Sequence, residues 1–145
     1  MKGRFRAKNP HKYKGDPTNV IYRSSYELKL FRYLDLHPDI KWWQSEEVIV
    51  PYRSPLTGRV HRYFPDVTLK KMDGSVVMIE VKPKYQTIPP DKNKMKTPTG
   101  KLKRAYINEV AEWGKNQAKW KAATEYCTDR GWSFQIMTEQ ELGIK

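Results

Sequence analysis

The chain has 145 residues, 38% of them apolar and 30% charged, with a formal net charge of +12. That length builds one compact domain and is short for two. The 5 Trp, 9 Tyr and 4 Phe exclude wholesale disorder, because such side chains are retained to fill a core or to stack. One cysteine, Cys127, excludes an internal disulfide and a cysteine-based metal cluster, and it agrees with a reducing cytoplasm.

Residues 1–20 read as an extended basic arm with little core of its own. Lys2, Arg4, Arg6, Lys8, Lys12 and Lys14 run without an intervening acid, among Gly3, Pro10, Gly15 and Pro17. No apolar stretch suits a signal peptide or a membrane span, so no membrane partner is expected. The remainder, 21–145, is read as one domain. Its first element is a helix from Ser24 to about Leu36, with Leu30, Phe31 and Leu34 at helical spacing and Pro38 after its end. Ser24 is the expected N-cap. Glu27 sits in the apolar stripe, where an unpaired carboxylate is costly. It fits two roles equally well: the return half of a capping box toward Ser24, or a carboxylate aimed into a site.

Residues 42–53 predict a strand, 54–58 a turn, and 59–70 a second strand. Met72-Asp73-Gly74 predicts a tight hairpin turn into a strand over 75–82. Adjacent Trp42 and Trp43 must face opposite ways, one toward the core. A long loop over about 83–103 carries the second acid-free basic run: Lys92, Lys94, Lys96, Lys101, Lys103 and Arg104. A helical region follows from about Lys103 to Arg130, with Gly114 as a possible divide, Trp113 and Trp120 at core spacing, and Gly131 as its stop. Asn116, Gln117 and Lys119 lie at the start of its later part. A last strand covers 132–137, and Glu139–Leu142 reads as a short acidic helix start. The order is that of an α/β domain, one mixed sheet with helices against it.

The two basic runs hold 12 of the 28 basic residues, and the other 16 balance the 16 acids. Charge concentrated in this way suits phosphate neutralisation and counterion release. The competing explanation is a pair of solvated segments kept for solubility.

Glu80 and Lys82 are two apart on one strand and leave the same face, while Val77, Ile79 and Val81 point to the other, the expected buried face. Counted about the turn at Asp73-Gly74, Asp66 falls opposite Glu80. Like charges so placed repel, and a shared cation relieves the repulsion. Mg²⁺ held by one or two carboxylates and a phosphate lowers the pKa of bound water and neutralises charge, and a lysine beside it orients the nucleophile. Asp66 and Glu80 are the expected ligands, Lys82 the positioner, and Glu27 a supporting acid. Singly, an exposed strand face accounts for Glu80 and Lys82, and a strand start after proline for Asp66. His61 and Arg62 read as exposed strand residues.

Pro65-Asp66 followed by Glu80-Val81-Lys82 resembles the signature of the PD-(D/E)xK nuclease superfamily, many of whose members carry a helical Glu that Glu27 matches. The segments MKGRFRAKNPHKYKGDPT, YRSSYELKLFRYLD, VPYRSPLTGRVHRYFPD and NQAKWKAATEYC…GW…IMTEQELGIK extend the likeness over nearly the whole chain. They are similar to the head-completion nucleases of T-even-like tailed phages. The resemblance implies a restriction-endonuclease-like fold and a backbone carbonyl at Val81 in the metal shell. It implies Mg²⁺, with Mn²⁺ as a substitute, double-stranded DNA as substrate and no nucleotide cofactor. It also implies a role in head completion beside portal or neck proteins, in the host cytoplasm and at the head vertex of the particle. The rival readings are a structural DNA-binding neck protein with an idle site, and an RNA-binding module, for which no aromatic RNA-binding motif is visible.

Overall fold

The structure, a computed structural model, describes residues 1–143; Ile144 and Lys145, the end of the expected domain, lie outside the described residues. In chain order the elements are β1 (Gly3–Phe5), β2 (Val20–Tyr22), α1 (Ser25–Leu36), β3 (Ile40–Ser45), β4 (Val50–Arg53), β5 (Val60–Tyr63), β6 (Val67–Lys71), β7 (Val76–Val81), α2 (Arg104–Asp129) and β8 (Ser133–Met137). Ser24 caps α1 as its sequence predicts, its hydroxyl accepting from the Glu27 N–H at 3.1 Å. Gly131 closes α2 in a left-handed conformation (φ 71°), which costs glycine nothing.

The central sheet has the order β3-β6-β7-β8. The first three strands are antiparallel neighbours, and β8 runs parallel to β7, so the sheet is mixed. Its two faces have different covers. Val67, Leu69, Val77 and Ile79 pack on Leu30, Phe31 and Leu34 of α1 together with Trp43. Met78, pointing the other way, packs on Trp120, Ala123 and Cys127 of α2. A helix on each face of a mixed sheet is the restriction-endonuclease-like arrangement. Only one face of β7 was expected to be buried. Both are, because α2 covers the side that carries Glu80.

Four further expectations change. The strand expected over 42–53 is two strands in different sheets. Glu46 adopts a left-handed backbone (φ 56°) and turns the chain out of the central sheet, and β4 then pairs with β5 in a separate hairpin against α2. The strand expected over 59–70 also divides, because Pro65 has no N–H to give a ladder. Gly114 does not divide the second helix, which runs unbroken for 26 residues. A single Gly costs a helix about 1 kcal/mol, too little to break one of this length, and a Cβ there would only reach ordinary contact with Pro55 Cγ at 4.0 Å. Glu139–Leu142 forms turns rather than a helix, and Leu142 joins the core.

The N-terminal segment is the largest departure. It is folded: β1 and β2 pair antiparallel, and Phe5, Tyr13 and Val20 enter the main core. Trp43, fully buried, receives Phe5 and Tyr13 edge-on at 5.8 and 4.8 Å between ring centroids. Trp42 is half-buried under the Lys14 ammonium. Lys12, expected to bind nucleic acid, is buried, and its ammonium donates to the Asp35 and His37 carbonyls at 3.1 and 2.7 Å. The buried Asp35 carboxylate accepts from the N–H groups of Lys8 and Asn9 at 2.8 and 3.0 Å. Lys12 therefore ties the segment to the end of α1 and is withdrawn from any DNA surface.

Candidate active site

The β6–β7 ladder pairs Val67 with Ile79, so the next position outward sets Asp66 against Glu80, as counting from the hairpin turn predicts. Asp66 follows Pro65, where pairing with β7 begins. Its Oδ2 accepts from the Val81 N–H at 2.7 Å. Glu80 is buried, and its Oε2 accepts from the Tyr63 hydroxyl at 2.7 Å. The Lys82 ammonium stands 3.9 Å from the other oxygen, Oε1. One oxygen of each acid is thus tied to the protein.

Burial, and then the charge of Glu80, push the Asp66 carboxyl well above the usual carboxylate range. Burial likewise raises Glu80, against the opposing pull of the Tyr63 hydroxyl and Lys82. Each acid thus sits where its charge is penalised, the condition that a cation between them removes. Val81 contributes its N–H to Asp66, and the carbonyl role expected for it rests on the resemblance alone.

Glu27 reaches the site from the first turn of α1. Its Oε2 accepts from the Arg23 N–H at 3.4 Å, so the capping box closes one residue earlier than the expected return to Ser24. Burial, and then the charge of Asp66, push Glu27 up to about 7 from 4.5. In the metal-free protein the stability linked to Glu27 protonation is fully present below pH 4.5 and is lost as pH rises through about 7. Screening reduces the effect to about 1 kcal/mol. Thermal melts in chelator should show this decline, and Glu27→Gln should flatten it; an unchanged pH profile in the variant would contradict the assignment.

Two residues at the site have no counterpart in the expected set of four. Tyr63, buried on β5, holds Glu80 as described. Tyr63→Phe removes that donor with little change of shape, and should raise the Mg²⁺ concentration for half-maximal cleavage about tenfold. A metal titration of the variant that overlays the parent would refute this. Lys119 on α2 is the second. Its ammonium lies 5.4 and 5.8 Å from the Tyr63 and Tyr52 ring centroids, with no carboxylate within ion-pair distance among the described residues. Burial, followed by Lys115, lowers its pKa, while Glu80 opposes the shift. The resemblance hinted at this position, since nucleases of that superfamily sometimes turn a polar residue at the start of the later helix, here among Asn116, Gln117 and Lys119, toward the site. Tyr63 is hidden in the sequence because only a short break at Pro65 separates its strand from that of Asp66.

The other expected nucleic-acid residues are exposed: Lys2, Arg4, Arg6 and Lys8 around β1, Lys92, Lys94, Lys96, Lys101 and Lys103 in the loop, and Arg104 at the start of α2. Among the described residues none makes an ion pair with the four acidic and basic groups of the site. Among the described residues, too, no three His, Cys, Asp or Glu side chains are grouped to cage an ion. That donor set still fits Mg²⁺, which is commonly held by one or two carboxylates with water and substrate phosphate completing its shell.

A mixed sheet flanked by helices, with paired acids opposed across a hairpin and a lysine two residues on, defines an endonuclease-like domain. The chain belongs to the TnsA-like endonuclease N-terminal family, whose model matches residues 37–139. It is also 40% identical over 140 residues to the head completion nuclease of Enterobacteria phage T4, across 97% of this chain and 92% of that protein. Endonucleases of this superfamily are typically dependent on a divalent metal.

Proposed function

We propose that this protein is a Mg²⁺-dependent nuclease that hydrolyses phosphodiester bonds of double-stranded DNA during completion of a phage head. The observation that carries the reading is the buried Asp66–Glu80 pair with Lys82 beside it. Asp66 and Glu80 would hold the metal, which supplies charge neutralisation at the phosphate and acidifies water. Tyr63 and the Val81 N–H fix the orientation of the two carboxylates. Lys82 Nζ, half-buried beside Glu80, donates hydrogen bonds to the attacking water and offsets charge that grows on the phosphate. Lys119 supplies a second cation on the α2 side, and the exposed basic residues grip backbone phosphates further out.

A purely structural DNA-binding role is not favoured, since it leaves two buried carboxylates opposed with only Lys82 and two hydrogen bonds to offset their burial. The same proposal sets the protein in the host cytoplasm during assembly and then at the head vertex, next to portal or neck proteins. The test is nicking of supercoiled plasmid by the purified protein. Nicking should need Mg²⁺, persist with Mn²⁺, stop with chelator, and be lost in Glu80→Ala. Cleavage by a folded Glu80→Ala protein at the parent's rate would overturn the proposal. In infected cells, a Lys82→Ala phage should accumulate filled heads that fail to join tails.

A further inference from the structure

Beyond the carboxylate site, a cavity of about 280 Å³ opens between the turn at Lys84–Thr87 and the first half of α2. We propose that it receives one nucleobase swung out of the DNA stack beside the cut phosphate. The inference rests on the nuclease reading and adds a specificity site to it.

Three observations carry it. The first is position. Tyr85 is three residues beyond Lys82, hence within about 10 Å of it along the chain. Asn116, on the opposite wall, is one helical turn before Lys119, whose charge acts on Glu80. Both walls therefore lead directly away from the reacting groups.

The second is chemistry. In a chain of net charge +12, no Lys or Arg lines this cavity, while Glu109 and Glu112 do. Such a lining repels phosphate and suits a neutral group with N–H donors. The volume lies just under the ~300 Å³ lower bound for small-molecule pockets, suiting one flat ring system. Tyr85 offers a ring that is 67% exposed, and the Trp113 indole, partly buried and braced edge-on by Trp120, offers a second flat surface. Aromatic faces of this kind stack unpaired bases.

The third is an unmet hydrogen bond. Asn116 is 3% exposed, lines the cavity, and its Oδ1 has no partner. Buried amides are ordinarily satisfied. The exocyclic amino group of adenine, cytosine or guanine, or the ring N–H of guanine or thymine, would satisfy this one.

The test uses a duplex with several adenines of one strand replaced by 2-aminopurine, whose fluorescence rises on unstacking. The Lys82→Ala protein, intact in chain length and slow to cleave, binds it with Mg²⁺ present. Fluorescence should rise severalfold on binding. Adding Tyr85→Ala, a truncation at an exposed position that leaves the core untouched, or Asn116→Leu should abolish the rise. Anisotropy of the same duplex reports binding in parallel. A duplex that binds without a rise, or a rise that survives both substitutions, overturns the base pocket and leaves the nuclease reading standing. Failure to bind duplex at all, with no Mg²⁺-dependent cleavage by the parent protein, overturns both.

Discussion

Asp66→Asn should abolish DNA cleavage and at the same time stabilise the metal-free protein. Asparagine keeps an oxygen to accept the Val81 N–H, the bond made at 2.7 Å in the parent, so the local backbone survives. What disappears is one of the two negative charges proposed to bind the cation. Metal ions supply several kcal/mol of transition-state stabilisation, and at about 1.4 kcal/mol per factor of ten the loss should reach roughly a thousandfold. The stability change has the opposite sign. Because the folded-state pKa of Asp66 is raised, its protonated form contributes stability below the ordinary carboxylate range, and that contribution is lost as pH rises. Ionising the acid opposite Glu80 works against the fold as pH rises, and Asn removes that cost. Melting in chelator should move up by about 2–4 °C per kcal/mol relieved. Excess Mg²⁺ should stabilise the parent and leave the variant unmoved. A variant that melts lower than the parent in chelator would show that Asp66 is a structural acid.

Removing residues 1–15 should unfold the protein, an effect much larger than weakened DNA binding. Phe5 and Tyr13 are buried against Phe31 and Trp43, and truncating one large buried aromatic costs about 3–5 kcal/mol. Two such losses rival the ~5–15 kcal/mol that holds a typical domain together. The deletion also strips Asp35 of the N–H groups of Lys8 and Asn9 and leaves it buried. The shortened chain should be insoluble or lack a cooperative melt. Substituting Arg4, Arg6 and Lys8 with Gln, all exposed, should keep the fold and reduce the salt dependence of DNA binding. A deletion that melts like the parent would restore the picture of a free arm.

The facing of Asp66, Glu80 and Lys82 is legible in the sequence because they lie on elements with strong local rules, while their catalytic roles come from the resemblance. Ser24 caps α1, which fixes where Glu27 stands. The tight turn at Asp73-Gly74 fixes the β6–β7 register, and with it the facing of Asp66 and Glu80. Neighbouring Trp42 and Trp43 divide between half-buried and core as strand alternation demands. What stayed hidden depended on tertiary partners. Phe5, Tyr13 and Val20 are too widely spaced among lysines to show a period, and only Trp43 and α1 make them core. The strand breaks at Glu46 and Pro65 look like minor irregularities until the β4–β5 hairpin is seen packing on α2. That packing buries the Glu80 face and brings Tyr63 and Lys119 to the carboxylates. Lys12 counted as one more positive charge in a basic run, and no local pattern says that two carbonyls at the end of α1 will claim it.

The most direct test of the central claim, that Asp66 and Glu80 hold a divalent cation between them, is Mn²⁺ binding followed by electron paramagnetic resonance. The parent protein and a folded Asp66→Ala, Glu80→Ala double variant would be titrated without DNA. The parent should take up Mn²⁺ saturably, with Mg²⁺ in competition, and the double variant should leave the free-ion signal unchanged. Equal uptake by both proteins would place the metal elsewhere and contradict the account.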